Sequence, residues 1–183
     1  MKSALILIDI QNDYFPGGAM ELAGMNQAAT KAGEALAAWR GARRPIFHVQ
    51  HLALGPGATF FRPDTAGVEI HDSVRPLPGE ALVRKHYPNA FRDTGLVEVL
   101  QGAGVGEVII AGAMSHMCID ATTRAAFDYG FTCTVIHDAC ATRDLAFQGL
   151  TIPAAQVHGA FMAALGMRYA RVLELKDFLG GLS

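Results

Sequence analysis

The sequence is poor in charge and has no cluster of basic residues. Charged residues make up 17% of its 183 positions and hydrophobic residues 51%, with a formal net charge of −2. This composition excludes a disordered chain and indicates extensive burial, part of which a homo-oligomer interface would supply. Because Lys and Arg do not cluster, we expect no nucleic-acid partner and no anionic membrane partner. A small-molecule substrate is the expected ligand.

The sequence also lacks a long apolar run. No segment approaches the roughly 18 residues that a membrane-spanning helix needs. The first predicted strand begins almost at Met1, so we expect no signal peptide before it. These absences predict a cytoplasmic protein. Since no linker or internal repeat interrupts the sequence, residues 1–183 are predicted to form a single domain.

Cysteine is scarce as well. Cys118, Cys133 and Cys140 are the three cysteines, and they form no CxxC pair. This pattern argues against a disulfide framework and against a cysteine-based zinc site. Cys133 lies in a strand-like run and is interpreted as a core residue. Cys140 follows a predicted strand, where packing is favoured over a place near a functional site.

Short apolar runs alternate with longer Ala-rich segments of helical spacing. This alternation is typical of an α/β protein in which helices cover a parallel sheet. The predicted strands are 4–8, 45–49, 81–83, 108–111, 132–136 and 172–175. The predicted helices run from the cap Asn26 to Arg40, from about Cys118 to just before Gly130, and from Thr151 to about Leu165.

Residues 50–80 interrupt this alternation. The segment is rich in Gly and Pro and offers little regular structure. Long loops in compact domains are commonly functional. Two interpretations stay open for its residues Phe60, Phe61 and His71, which either roof a pocket or form an apolar cluster inside a packed loop.

Three side chains suited to thiol chemistry follow three different predicted strands. Asp9, Lys85 and Cys118 occupy these positions, and the carboxyl ends of parallel strands share one edge of a sheet. Taken singly, each has a structural alternative: a turn-capping Asp, a solvated Lys and a buried Cys. Taken together, they supply a base, a cation and a nucleophile. The predicted helix start at Cys118 would further favour the thiolate.

The segments LILIDIQNDYF, VRKHYPNAF and IIAGAMSHMCIDATTRAAFDYGF resemble the three signature segments of the isochorismatase-like cysteine hydrolases. The resemblance extends over nearly the whole chain. It implies a Rossmann-like three-layer α/β/α fold with a central, mostly parallel sheet of about six strands. It further implies Asp9, Lys85 and Cys118 as the catalytic set. A cis peptide bond between Ala113 and Met114 is also implied, with the backbone N–H groups of Met114 and Cys118 as the oxyanion hole.

The cysteine favours one of the reactions found among these hydrolases. Hydrolysis of the isochorismate vinyl ether requires protonation of carbon, and family members with that chemistry can lack the cysteine. Cys118 therefore favours cleavage of a carbon–nitrogen bond in a small amide, ureido or carbamoyl compound through a thioester. The vinyl ether reaction stays an alternative, as does a non-catalytic redox sensor with Cys140 as the resolving thiol.

One branch of the family that this sequence resembles holds a metal ion, and the sequence departs from that branch. Nicotinamidases carry an Asp-x-His pair among their metal ligands. The corresponding stretch reads HVQHLA, so Val49 stands two residues before His51 where the carboxylate would be. We therefore expect neither a metal nor another cofactor.

The substrate-binding predictions rest on proximity to the three strand ends. They are Gln11, Phe15, His51, Phe60, Tyr87, Phe91 and His116. For Phe15 an ordinary core position is an equal alternative, and for His116 a solvated loop position is favoured.

Overall fold

Six parallel strands form the central sheet of the structure, a computed structural model that describes residues 2–181. They are β1 (Lys2–Ile8), β2 (Ile46–His51), β3 (Ala81–Lys85), β4 (Val105–Ala113), β5 (Thr132–Ala141) and β8 (Arg171–Leu173). Their order across the sheet is β3-β2-β1-β4-β5-β8, with every neighbouring pair parallel. Strands β6 (Leu145–Phe147) and β7 (Leu150–Ile152) form a separate antiparallel hairpin. All six predicted strands are present, although the last one ends earlier than predicted.

Helices cover both faces of the sheet. They are α1 (Met25–Gly41), α2 (Leu96–Gly102), α3 (Asp120–Asp128), α4 (Ala154–Arg168) and α5 (Leu175–Gly180). Leu5 and Leu7 of β1 pack into one hydrophobic cluster with α1 and α5, whereas Ile6 and Ile8 pack into another with α2, α3 and α4. This alternation follows from the two-residue period of a strand. The predicted three-layer α/β/α fold is confirmed. Within residues 2–181, no helix is long and apolar enough to span a membrane.

Two predicted helix starts are wrong. Asn26 lies inside α1, and the cap is Gly24, whose φ of 72° is a left-handed conformation that glycine adopts without steric cost. Thr151 belongs to β7, and Pro153 caps α4 instead. That helix also continues through Gly166 to Arg168.

The last predicted strand ends early. Residues 172–175 were expected to be extended, but Leu175 begins α5. The carboxylate of Asp138 accepts a hydrogen bond from the Leu175 N–H at 2.8 Å and so satisfies an otherwise free donor of the first turn. This contact spans 37 residues, so local periodicity gives no sign of it.

A partly buried cluster of ion pairs and hydrogen bonds connects the end of the 50–80 segment to the sheet. Glu80 accepts two hydrogen bonds from the Arg40 guanidinium, at 2.7 and 2.8 Å, and lies 2.8 Å from His48 Nε2. Arg40 lies in the last turn of α1 and His48 lies in β2, so the Glu80 carboxylate connects a helix, a strand and the loop. The Arg40 hydrogen bonds, foremost among the causes, lower the pKa of Glu80 from 4.5 to about 2.

Because this pKa is depressed in the folded state, we expect Glu80 to stabilise the protein above about pH 4.5 and to lose that effect as the pH falls towards about 2. Glu80→Gln should lower the free energy of unfolding at pH 7 by roughly 1–3 kcal/mol. It should also flatten the decline of stability with acid. Denaturant unfolding between pH 7 and pH 2 measures both, with the exposed-site variant Glu98→Gln as control. Equal stability of Glu80→Gln and the wild type at pH 7 would contradict a stabilising role of the Glu80 carboxylate.

Candidate active site

The strand order creates a switch point between β1 and β4. The chain steps outward from β1 through β2 to β3, then returns to the other side of β1 with β4 and β5. Ligands of open parallel sheets bind at the carboxyl ends of the strands beside such a point. Asp9 follows β1, His51 ends β2, Lys85 ends β3, and Cys118 lies just beyond β4.

The three predicted catalytic side chains meet at this edge. Lys85 Nζ lies 2.7 Å from Asp9 Oδ2 and donates a hydrogen bond to Cys118 Sγ at 3.2 Å. Asp9 and Lys85 are completely buried, and Cys118 is 4% exposed. Lys85 and Cys118, which follow Asp9 by 76 and 109 residues in the sequence, therefore lie next to it in the fold.

A close approach of β1 and β4 positions the carboxylate. Gly112 of β4 pairs with Ile8, and a Cβ at Gly112 would lie 1.9 Å from the Ile8 carbonyl oxygen. Its φ of 130° also suits glycine alone. Asp9 itself has a φ of 53°, which turns the chain out of β1 at the switch point. Only glycine at position 112 lets the two strand ends come this close.

The segment after β4 carries the thiol in an unusual turn. The Ala113–Met114 peptide bond is cis, as the family resemblance implied. A single π-helical turn, Ser115–Ile119, then leads into α3, and the Met114 carbonyl accepts hydrogen bonds from Met117 N–H and Ile119 N–H. Wide turns of this kind often occur at functional sites. The buried Ser115 hydroxyl secures the segment by donating to the Ala141 carbonyl at the end of β5.

The position of Lys85 relative to Cys118 is fixed by a second connection. The Thr122 hydroxyl of α3 accepts a hydrogen bond from the Ala90 N–H at 3.0 Å. Ala90 lies in the segment that follows β3, so this contact ties the strand that carries Lys85 to the helix that follows Cys118.

The surroundings of Cys118 favour the protonated thiol, whereas a helix start was expected to favour the thiolate. Cys118 lies in the π-helical turn and not in the first turn of α3. Burial, foremost, and the negative charge of Asp9 raise the pKa of the Cys118 thiol, and together they outweigh the opposite effect of Lys85. With one carboxylate and one ammonium, the centre is electrically neutral only while the sulfur keeps its proton.

Potential metal ligands do come together here, which the sequence did not predict. In the part of the chain that the structure describes, Asp9, His51 and Cys118 offer ligand atoms that all lie within 4.8 Å of one another. However, Lys85 Nζ lies 2.7 Å from the carboxylate, 2.8 Å from His51 Nδ1 and 3.2 Å from the sulfur. A tethered cation thus occupies the centre of the ligand set, and the residues do not fit a resident metal ion.

Gln11 acts on the backbone around the site. Its amide oxygen accepts from the His51 N–H at 2.8 Å, and its amide nitrogen donates to the carbonyls of His51 and Val68 at 2.9 and 2.7 Å. Both amide hydrogens and the oxygen are engaged in this way in a side chain that is fully buried. Gln11 therefore positions the end of β2, and a direct substrate contact stays a prediction.

Aromatic side chains border the Asp9 side of the site. Phe61 lies 4.5 Å from the ring of Tyr14, 5.0 Å from that of Phe60 and 5.9 Å from that of His51. Phe15 is 6% exposed and stacks on His71 at 3.6 Å. The Gly- and Pro-rich segment thus makes aromatic contacts with the chain that follows β1, which agrees with the apolar cluster, and a roof over a pocket stays a prediction.

The other predicted substrate residues have structural partners of their own. The Tyr87 ring lies 3.5 Å from the Arg92 guanidinium. Phe91 packs on Tyr129 at 5.3 Å, within the core beside the far end of α3. His116 Nδ1 lies 2.6 Å from the Thr142 hydroxyl. None of these contacts involves Cys118, and a substrate role for the three residues stays a prediction.

The sequence interpretation missed Asp13 and Tyr14. The Asp13 carboxylate accepts hydrogen bonds from the Phe61 N–H at 2.6 Å and the Ala19 N–H at 3.3 Å, which holds the 50–80 segment against the chain after β1. Tyr14 is 1% exposed, and burial, followed by the charges of Cys118 and Asp9, raises its pKa. Both residues lie in the segment LILIDIQNDYF, so their proximity to Asp9 was the available signal.

A three-layer α/β fold with this buried set of side chains defines an enzyme, and comparison with known proteins identifies its class as hydrolase. The family model of the isochorismatase domain matches residues 3–164, and the chain belongs to the isochorismatase family. It is 51% identical over 179 residues to the isochorismatase family protein YddQ of Bacillus subtilis, covering 98% of this chain and 99% of that protein.

Two further relatives extend the comparison. A streptothricin hydrolase of Streptomyces noursei is 37% identical over 166 residues, which cover 89% of this chain and 59% of that protein. The crystal structure of an isochorismatase from Pseudomonas putida KT2440 matches with a TM-score of 0.90 and 40% identity, covering 96% of this chain and 89% of that one. The chain is accordingly a hydrolase of the isochorismatase family with an α/β/α fold.

Proposed function

We propose that this hydrolase cleaves a carbon–nitrogen bond of a small amide, ureido or carbamoyl compound through a thioester on Cys118. The observation that carries the proposal is the contact of one buried ammonium, that of Lys85, with both the Asp9 carboxylate and the Cys118 sulfur. The similar streptothricin hydrolase is named for a substrate other than isochorismate, which favours this proposal over vinyl ether hydrolysis.

The charge balance of the centre supports Asp9 as the base. Transfer of the thiol proton to Asp9 converts carboxylate and thiol into carboxylic acid and thiolate, so the net charge of the buried centre does not change. A transfer to bulk water would leave an extra negative charge in a buried site, which is costly. Lys85 contacts both partners and stabilises whichever of them carries the charge.

In the first half of the reaction, the thiolate attacks the substrate carbonyl carbon and a carbon–sulfur bond forms. The carbonyl electron pair moves to oxygen, where the backbone N–H groups of Met114 and Cys118 stabilise the resulting oxyanion. Losing one such donor typically costs about 3 kcal/mol. The oxyanion then collapses, the carbon–nitrogen bond breaks, and Asp9 returns its proton to the leaving nitrogen.

In the second half, Asp9 removes a proton from water, and the hydroxide attacks the thioester carbonyl. The carbon–sulfur bond breaks, the acid product leaves, and the proton held by Asp9 returns to the sulfur. The cycle restores the neutral resting centre and requires no cofactor.

The test is a panel of small amides, ureido acids and carbamoyl compounds together with isochorismate. We expect ammonia or amine release from members of the first three classes, with an acyl adduct on Cys118 detected by intact-mass spectrometry after rapid quenching. Cleavage of isochorismate alone, without an adduct, would overturn the proposal in favour of vinyl ether hydrolysis. Inactivity on the whole panel with a reversible Cys118–Cys140 disulfide would overturn it in favour of a redox sensor.

The structure gives little support to the sensor. A sensor thiol depends on its own low pKa, whereas the pKa of Cys118 is raised, so its proton must be removed by a base such as Asp9. The proposed resolving thiol, Cys140, is buried in β5 and hydrogen-bonded to the Ile136 carbonyl at 3.3 Å.

A further inference from the structure

His51 occupies a fixed position in the centre. Gln11 holds its backbone on both sides by accepting from the His51 N–H and donating to the His51 carbonyl. Its ring nitrogen Nδ1 lies 2.8 Å from Lys85 Nζ. A ring nitrogen of His51 also lies within 4.8 Å of Cys118 Sγ. A histidine this close to a nucleophilic sulfur invites comparison with a Cys–His catalytic pair.

The donors and acceptors around Lys85 exclude a Cys–His catalytic pair. An ammonium has three N–H groups and no acceptor. Lys85 Nζ donates to Cys118 Sγ, lies 2.8 Å from His51 Nδ1 and forms an ion pair with Asp9. His51 Nδ1 must therefore be the acceptor, so its lone pair is consumed and the ring proton resides on Nε2. Burial and the charge of Lys85 lower the pKa of His51 to about 4, which keeps the ring neutral at pH 7.

Nε2–H is the one polar group of His51 left for another molecule. No group among residues 2–181 accepts a hydrogen bond from Nε2, although the half-buried ring also contacts Phe61. A neutral donor at this place can recognise an acceptor oxygen but cannot remove a proton. It therefore differs in chemistry from Asp9, which can accept a proton and later donate it.

We propose that His51 Nε2–H binds an acceptor oxygen of the substrate other than the scissile carbonyl oxygen, and that His51 does not act as a base. The preferred compounds are then amides that carry a second carbonyl or carboxylate, as ureido acids do, over simple alkyl amides. This inference rests on the proposed function for the identity of the scissile group.

The tautomer can be tested without any substrate. Nitrogen-15 histidine spectra of the wild-type protein at pH 7, with His51 assigned by comparison with His51→Gln, should show a protonated Nε2 and an unprotonated Nδ1. A proton on Nδ1, or on both nitrogens, would overturn the inference, since Lys85 could then not donate to the ring.

The substrate contact can be tested by binding, independently of turnover. Malonamide and 3-methylbutanamide are matched in size and branching, and only malonamide has a second carbonyl. In a Cys118→Ser background we expect malonamide to bind about tenfold more tightly than 3-methylbutanamide, the effect of one hydrogen bond. Adding His51→Asn should abolish this preference, because asparagine offers Lys85 an acceptor at the δ position but has no donor at the ε position.

His51→Gln provides the matched variant, since glutamine restores an N–H at the ε position and should recover part of the preference. Equal binding of the two amides to the Cys118→Ser protein, or an unchanged preference in His51→Asn, would overturn the inference. Neither result bears on the acyl adduct of Cys118, so a failure here is distinguishable from a failure of the proposed function.

Discussion

Replacement of Cys118 by serine is expected to abolish hydrolysis of every compound that the wild type cleaves. Serine is nearly isosteric, and the side chain is 4% exposed, so the fold should persist. A hydroxyl is far less acidic than a thiol, so Asp9 should generate far less alkoxide from serine than thiolate from cysteine. Loss of a nucleophile of this kind lowers kcat by about 10⁴-fold or more.

The measurement combines kcat/KM on the best panel compound with intact-mass spectrometry. The Cys118→Ser protein should show neither turnover nor an adduct. Cys133→Ser is the matched control, because Cys133 is equally buried but lies in β5 with its sulfur 3.5 Å from the Phe131 carbonyl. Retained turnover in Cys118→Ser would exclude covalent catalysis by this thiol.

The sequence predicts the sheet and the meeting of its strand ends for a simple physical reason. Apolar runs such as residues 4–8 are buried on both faces, and strands of this kind occur in parallel sheets. Once the strands are parallel, residues that directly follow them must share one edge. Asp9, Lys85 and Cys118 could therefore be placed together before any distance was known.

What the sequence could not predict depends on contacts that helical or strand periodicity does not show. Leu175 begins a helix because Asp138, which lies 37 residues earlier, accepts a hydrogen bond from its N–H. Thr151 is extended because it pairs with Ala146 in the short hairpin of β6 and β7. The same limit applies to the site. The state of the Cys118 thiol depends on its burial and on Asp9, and the bonding of His51 depends on the reach of Lys85 from a strand two places from β1 in the sheet.

The second large effect is expected from Asp9→Asn, which removes the proposed base and the counter-charge of Lys85 while keeping the size of the side chain. Turnover should fall by at least about 10³-fold, within the range for loss of general acid–base catalysis. The lost carboxylate would leave a buried ammonium without its partner, which is strongly destabilising unless another group supplies the negative charge.

Cys118 is the group that can supply this negative charge, in the form of its thiolate. In the wild type, Asp9 raises the thiol pKa and Lys85 lowers it, so removing the carboxylate leaves only the effect of Lys85 to oppose burial. We expect the Cys118 pKa to fall in Asp9→Asn, so that thiolate forms at a lower pH even though activity collapses. The ultraviolet absorbance of the thiolate, recorded against pH, measures this shift.

Two variants make that result specific. Subtracting the absorbance of Asp9→Asn/Cys118→Ser removes the contribution of the other cysteines, and Asp128→Asn, at an exposed carboxylate of α3, should leave both the pKa and turnover unchanged. An Asp9→Asn protein that keeps wild-type turnover would exclude Asp9 as the base. A Cys118 pKa that rises or stays the same would instead refute the charge balance. If Asp9 competes with the thiolate for Lys85, the Asp9→Asn variant must combine lower activity with a lower Cys118 pKa.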